Sequence, residues 1–340
     1  MKKSWLENET LAPYTTLRIG GRSDYFFVAK TETELVAAVK EARRRKLPVT
    51  ILGWGSNVLI GDKGIRGLVI KNETSEMKIH SGGVKLFHPP GVNVNVKARW
   101  QSDKKKGTFK YEFTDLDYDE NGARGVKVTL SSGLALPNAI NELLDKGITG
   151  LQWFARIPGT IGGAVHNNIH GGTHFFSEFV DRVKVLTREG EIKSLPAKAL
   201  GLVYDKSRFH DSGEIILSVR LNLFRGDRGR ARAAAFEWAK RKSIQPSRSL
   251  GCTFKNISNE DKERLALATT SVGYIIEHIL KMGGYKVGGA KVSTAHHNFI
   301  VNAGGAKAKD YAGWVELIKQ RTKEKLGINL VPEIIYLGEF

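Results

Sequence analysis

Six glycines crowd the 23 residues from Gly150 to Gly172, set around an Ile157-Pro158-Gly159-Thr160 turn in a segment with no acidic residue. Gly159, Gly162 and Gly163 let main-chain N–H groups come close to an anion, because no Cβ blocks the approach and positive φ costs little. A tight turn at a domain face would use the same residues. A second loop of the kind, Gly53-Trp54-Gly55-Ser56-Asn57, stands upstream between the strand-like Val49-Thr-Ile-Leu52 and Val58-Leu-Ile60. Two phosphate-type loops suggest a dinucleotide. They lie roughly a hundred residues apart, and no Gly-x-Gly-x-x-Gly opens a helix after the first strand, which argues against a Rossmann site. A dinucleotide held by both loops would span two subdomains, a non-Rossmann way of gripping a flavin.

Periodicity places these loops in an α/β context. Leu35, Val36, Val39 and Ala42 recur at helical spacing over Thr33 to Arg45, ahead of strands at Val49 to Leu52 and Leu68 to Ile70. The Gly53 to Asn57 loop then sits at a strand end, where such folds place ligands. From Glu73 to Arg124 the texture changes to short β-like pieces, Val92 to Val96 and Phe109 to Phe113, separated by charged turns, which reads as a hairpin-rich insertion. Beyond it the pattern predicts a strand at Val126 to Leu130, a helix at Leu136 to Lys146 ended by Gly147, and strands at Arg182 to Thr187 and Glu214 to Leu223. Helices follow at Arg230 to Lys242, near Val272 to Met282, and at Lys309 to Leu326, with a last strand at Glu333 to Leu337.

Composition narrows the function. With 41% hydrophobic and 26% charged residues in 340, the chain has the material for two or three cores. No run approaches the roughly 18 apolar residues of a membrane span, and the first ten residues lack the apolar stretch of a signal peptide, so the expected compartment is the cytoplasm and no membrane partner is expected. A single cysteine, Cys252, excludes an internal disulfide and a cysteine-cluster metal site. His296 and His297 are adjacent and no carboxylate cluster stands near them, so no metal is expected. The formal charge of +18 gathers at Arg43 to Lys46, Lys104 to Lys106, Arg225 to Arg232 and Lys240 to Lys242. No nucleic-acid-binding signature accompanies these clusters, so solvated basic faces are the expectation and no nucleic-acid partner is.

Seven short motifs then appear in order. They are Thr15-Thr-Leu-Arg-Ile-Gly-Gly21; Leu52-Gly-Trp-Gly-Ser-Asn-Val-Leu59 with Gly64 and Gly67; Ile157-Pro-Gly-Thr-Ile-Gly-Gly-Ala164; Gln245-Pro246; Gly251-Cys-Thr-Phe-Lys-Asn256; His297-Asn-Phe-Ile-Val-Asn302; and Pro332-Glu-Ile-Ile-Tyr-Leu-Gly338. Together they resemble the UDP-N-acetylenolpyruvoylglucosamine reductase family, also called UDP-N-acetylmuramate dehydrogenase, along nearly the whole chain except Glu73 to Arg124. The resemblance implies an α+β fold, with a two-subdomain FAD-binding region of the vanillyl-alcohol-oxidase/PCMH type plus a C-terminal α/β substrate-binding domain. The expected division is 1–72 and 73–225 for the flavin subdomains, with the insertion at about 75–124, then 226–328 for the UDP-sugar domain and 329–340 for a strand carrying Glu333. FAD and NADPH are the implied cofactors, a UDP-sugar the implied substrate, and a monomer or weak oligomer the expected state. The implied reaction passes hydride to the β-carbon of an enolpyruvyl group and a proton to its α-carbon. Another FAD-dependent oxidoreductase of this fold, or a catalytically silent flavin or UDP-sugar-binding protein, stays open as an alternative.

The resemblance assigns the site residue by residue. Gly53, Gly55, Ser56, Asn57, Val58 and Leu59 match its first flavin loop, and Ile157, Pro158, Gly159, Thr160, Gly162, Gly163 and Ala164 its second. Cys252 stands where the family has a proton-donating serine; a thiol of reference pKa about 8.5 is the stronger acid. Glu333 matches a catalytic glutamate, while Tyr204, Lys255 and Asn256 fall at substrate-binding positions. One departure matters: Tyr204-Asp-Lys-Ser-Arg-Phe209 carries Asp205 where the family has an arginine. Hydride addition builds negative charge on the substrate carboxylate, so the site needs a cation there. Arg156, where the family usually has glycine, is the preferred replacement, with Arg208 its rival.

Overall fold

In a computed structural model the described residues are 4–80, 101–103, 108–110, 120 and 124–340, with backbone alone described at 101–103 and 108–110. They form two compact units, one of residues 1–73 with 243–340 and one of residues 74–242.

The first unit is built on a four-stranded sheet in the order Leu6–Thr10, Arg22–Ala29, Ile65–Asn72, Val49–Leu52, whose last three strands run parallel. The helix Glu32–Arg44 makes the crossover from Arg22–Ala29 to Val49–Leu52, the two parallel strands that flank Ile65–Asn72. Its Thr31 hydroxyl accepts from the Glu34 amide at 3.2 Å, acids occupy its first turn and arginines its last, all favourable to the helix dipole. Leu35, Ala38, Val39 and Ala42 form its buried stripe. The C-terminal segment of the unit adds an antiparallel sheet of Lys286–Val287, Ala290–Val292 and Ile300–Asn302, packed on the helix Ala308–Leu326 through a core including Trp314, Val315 and Ile318. The predicted helix near Val272 to Met282 is a short one, an α-helical turn at Val272–Tyr274 continued without a break by the wider π-helix Ile275–Ile279.

The second unit is a five-stranded antiparallel sheet in the order Ile192–Pro196, Val180–Leu186, Ile215–Arg225, Arg124–Ser131, Met77–Ile79. Alternation decides its faces: Val126, Val128, Leu130, Val219, Leu221 and Leu223 are buried in the core with the helix Leu136–Asp145. Intervening Lys127, Thr129, Arg220 and Asn222 are less buried. The edge strand Met77–Ile79 belongs to this sheet, although it falls inside the stretch that reads as an insertion. Within that stretch Gln101–Asp103 pairs antiparallel with Thr108–Lys110; the expected piece at Val92 to Val96, residues 111–113 of the second piece and the Lys104 to Lys106 cluster lie outside the described residues. The helix Arg228–Lys242 contacts the turn Gln152–Phe154 in this unit, which runs on through Lys242.

Candidate active-site elements

In the first unit the Gly53 to Asn57 loop leaves the C-terminal end of the strand Val49–Leu52, beside the central strand of the parallel sheet. Gly55 has φ 61, and a Cβ there would lie 2.6 Å from the Tyr14 carbonyl oxygen, so only glycine fits. Its carbonyl accepts the Thr16 amide at 3.2 Å, while the Thr16 hydroxyl donates to the Ser249 carbonyl at 2.7 Å. The Thr15 to Gly21 motif thus ties the loop to the segment before Cys252. Among the described residues the amides of Trp54, Gly55 and Asn57 make no hydrogen bond within the protein. Unclaimed amides at a strand end suit a phosphate, and the loop therefore fits the diphosphate of a dinucleotide. Val58 and Leu59 follow in a short strand paired in parallel with Ile335 and Tyr336, and Leu59 is fully buried in the core.

The same unit brings Cys252 and Glu333 segments together. The Glu333 amide donates to the Thr253 carbonyl at 2.9 Å, and the Lys255 amide donates to the Val331 carbonyl at 3.0 Å. The strand expected from Glu333 begins at Ile335; Glu333 lies just before it, held from both sides, because Asn57 Nδ2 donates to its carbonyl at 3.2 Å. Phe254 is clamped by Asn298, whose Oδ1 accepts the Phe254 amide at 3.1 Å and whose Nδ2 donates to its carbonyl at 2.8 Å. Behind this segment the fully buried Tyr311 shares a 3.1 Å hydrogen bond with the Thr253 hydroxyl. Burial raises the Tyr311 hydroxyl well above its ordinary value, and the charges of Tyr336, Cys252 and Glu333 push the same way. Cys252 is partly exposed and Asn256 exposed.

The second unit carries the other loop. Thr160 caps the short helix Ile161–His166 by accepting the Gly163 amide at 3.2 Å, and the Gly162 amide donates to the Ser132 carbonyl at 2.8 Å. These two amides are engaged inside the protein. A Cβ on Gly162 would lie 2.9 Å from that of Ser132, so this glycine serves helix-to-sheet packing. Gly159 and Thr160 keep amides with no internal partner among the described residues. Ile157 is half-buried, Pro158 exposed and Ala164 buried.

The rival arginines separate clearly. Arg208 is occupied: its guanidinium bonds Glu214 at 2.9 and 3.3 Å and the Ala199 carbonyl at 3.0 Å. Arg156 is exposed, has φ 63, and makes no hydrogen bond or ion pair among the described residues. A side chain in the left-handed region is strained by about 1 kcal/mol. Tyr204, half-exposed, stacks on His170 with ring centroids 5.3 Å apart, and Asp205 lies 3.7 Å from the same imidazole. Lys242 reaches the Ala155 carbonyl at 3.5 Å, and burial lowers its ammonium to about 8. His297 is paired with Glu277 at 3.0 Å.

Residues 23–117 and 111–196 match the model of a FAD binding domain family, and with the loop geometry this makes the chain a FAD-binding flavoprotein. Residues 244–337 match a second model, the UDP-N-acetylenolpyruvoylglucosamine reductase C-terminal domain. UDP-N-acetylenolpyruvoylglucosamine reductase of Lachnoclostridium phytofermentans is 30% identical over 335 residues, 98% of this chain and 92% of that protein. The enzyme of that name from Nostoc punctiforme is 31% identical over 334 residues, 97% and 85% of the two chains. The crystal structure of the reductase MurB from Thermus caldophilus superimposes with a TM-score of 0.69 at 26% identity, covering 98% of this chain and all of that one. The chain belongs to the UDP-N-acetylenolpyruvoylglucosamine reductase family. Among the described residues no helix is long and apolar enough to cross a membrane.

Proposed function

We propose that the protein reduces the enolpyruvyl group of UDP-N-acetylenolpyruvoylglucosamine to give UDP-N-acetylmuramate, a step in making peptidoglycan precursors, with NADPH as the electron source. The observation that carries this reading is the hydrogen-bonded junction of the Cys252 and Glu333 segments in a chain of this family. FAD, when bound, supplies the hydride. The chain's own residues handle the rest. The amides of Trp54, Gly55 and Asn57 hold the cofactor diphosphate, with those of Gly159 and Thr160 as further donors. Lys255, Asn256 and Tyr204 take the UDP-sugar.

Hydride addition leaves an anion spread over the substrate's α-carbon and carboxylate. Arg156 offers that charge a cation, and Glu333 polarises the substrate. The Cys252 thiol then delivers a proton to the α-carbon. The test is anaerobic: NADPH oxidation is followed with and without the UDP-enolpyruvyl sugar, and the product is identified by mass. Oxidation that is indifferent to the sugar, with no gain of two hydrogens in it, would sink the proposal.

A further inference from the structure

Lys71 sits in the central strand of the first unit's parallel sheet, paired with Leu52, the residue just before the glycine loop. It is 8% exposed, and its ammonium donates to the Gly53 carbonyl. A lysine in such a place needs a reason, since burying an ammonium is expensive unless something compensates. Burial lowers its pKa, the nearby Glu73 carboxylate opposing the effect.

The reason lies in peptide geometry. A trans peptide holds its C=O and N–H antiparallel. With the Gly53 carbonyl drawn onto Lys71, the Trp54 amide must face the other way. That amide is one of the loop donors without a partner inside the protein, among the described residues. We propose that Lys71 is a positioning residue for a diphosphate: it fixes the Gly53–Trp54 peptide with the amide toward the ligand, and its buried ammonium adds a fixed positive charge beneath the loop. The inference rests on the reading of Gly53 to Asn57 as a cofactor loop, and it adds a residue from the sheet below to the donors on the loop itself.

Deflavinated full-length protein, titrated with FAD by fluorescence and with ADP and inorganic pyrophosphate in competition, tests this. Lys71→Met is expected to weaken all three ligands by a common factor of about ten or more, with the melting temperature of the flavin-free protein moving by less than about 4 °C. Lys71→Gln keeps a donor for the Gly53 carbonyl and loses the charge, so its affinities should fall between those of Lys71→Met and wild type. Wild-type FAD affinity in Lys71→Met would overturn the proposal. So would affinity lost in step with a large fall in melting temperature of both variants, which marks a structural support only. A wild-type protein that binds none of the three ligands would overturn the cofactor-loop reading itself, a distinguishable failure.

Discussion

The side-chain amide of Asn57 donates to the main-chain carbonyl of Glu333 at 3.2 Å, across 276 residues of chain. In return the Ile335 amide donates to the Asn57 carbonyl at 2.9 Å, so one residue of the glycine loop fixes both ends of the Glu333 turn. The loop and the carboxylate-bearing residue therefore hold one geometry. Asn57→Ala should lower stability by about 1 kcal/mol in urea denaturation. Its kcat should fall about tenfold through misplacement of Glu333. Asn57→Asp, which cannot donate, should behave alike; a fully active Asn57→Asp would show that the Nδ2 bond positions nothing.

Cys252 precedes Thr253, whose amide, carbonyl and hydroxyl are all engaged. Its backbone is thus held whatever its side chain. If the thiol is the proton donor, Cys252→Ser should retain turnover while Cys252→Ala loses roughly 10²–10⁴-fold in kcat. Rapid-mixing measurement of substrate consumption compares the two; near-wild-type turnover in Cys252→Ala would remove Cys252 from the reaction.

Arg156 stands in a conformation that suits glycine. Arg156→Gly should relieve strain and raise stability by about 1 kcal/mol. If the guanidinium serves the substrate carboxylate, the same change should cut kcat/KM about 10²-fold or more. Arg208→Ala breaks the Glu214 pair and the Ala199 contact, so its effect should appear in melting temperature first. Turnover lost in Arg208→Ala and kept in Arg156→Gly would reverse the assignment.

Elements with local signals were legible in advance. Gly147 marks a helix end, and the period-two run from Val126 to Leu130 marks a strand whose alternate residues fill the core. The site was legible only where motifs name residues. Lys71 closes an apolar run and looks like a strand end in water; its burial depends on the loop that folds over it, which no local pattern encodes. Tyr311 reads as one more apolar position of an amphipathic helix, and its hydroxyl's link to Thr253 is a tertiary fact. Gly162 has a packing role that no motif names. Glycine density reports close approach of a backbone, and at Gly162 the approaching group is Ser132.

Two histidines should make the fold sensitive to mild acid. Burial lowers the pKa of both His166 and His296, with His210 and His297 respectively adding repulsion. A lowered folded-state value means that the unfolded chain binds protons first, so stability is full above the unfolded pKa of about 6.5 and falls as pH drops below it. Each group can contribute a slope of up to about 1.4 kcal/mol per pH unit. Melting temperature should therefore decline from pH 7 to 5.5, ahead of carboxylate titration, and His166→Gln should flatten that decline. An unchanged slope in the variant would relieve His166 of the role.

Asp62 governs a helix far from it in sequence. The helix Ala308–Leu326 begins after Lys307, whose side chain cannot accept a hydrogen bond, so its first amides need another acceptor. Asp62 provides it, taking the Ala308 amide at 2.8 Å and the Lys309 amide at 3.1 Å, one on each carboxylate oxygen. Its negative charge also faces the positive end of the helix dipole. Asp310 satisfies the next donor back, accepting the Lys307 amide at 3.0 Å, and that bond is the first cause of its lowered pKa. Removing the cap in Asp62→Ala should cost about 1–2 kcal/mol, read as a lower urea midpoint at unchanged slope. Asp62→Asn keeps one acceptor and should lose less. Because the same helix carries Tyr311 to Thr253, loosening its first turn should also reduce kcat modestly with KM little changed. A urea midpoint unmoved in Asp62→Ala would mean that water caps this helix as well as the carboxylate does.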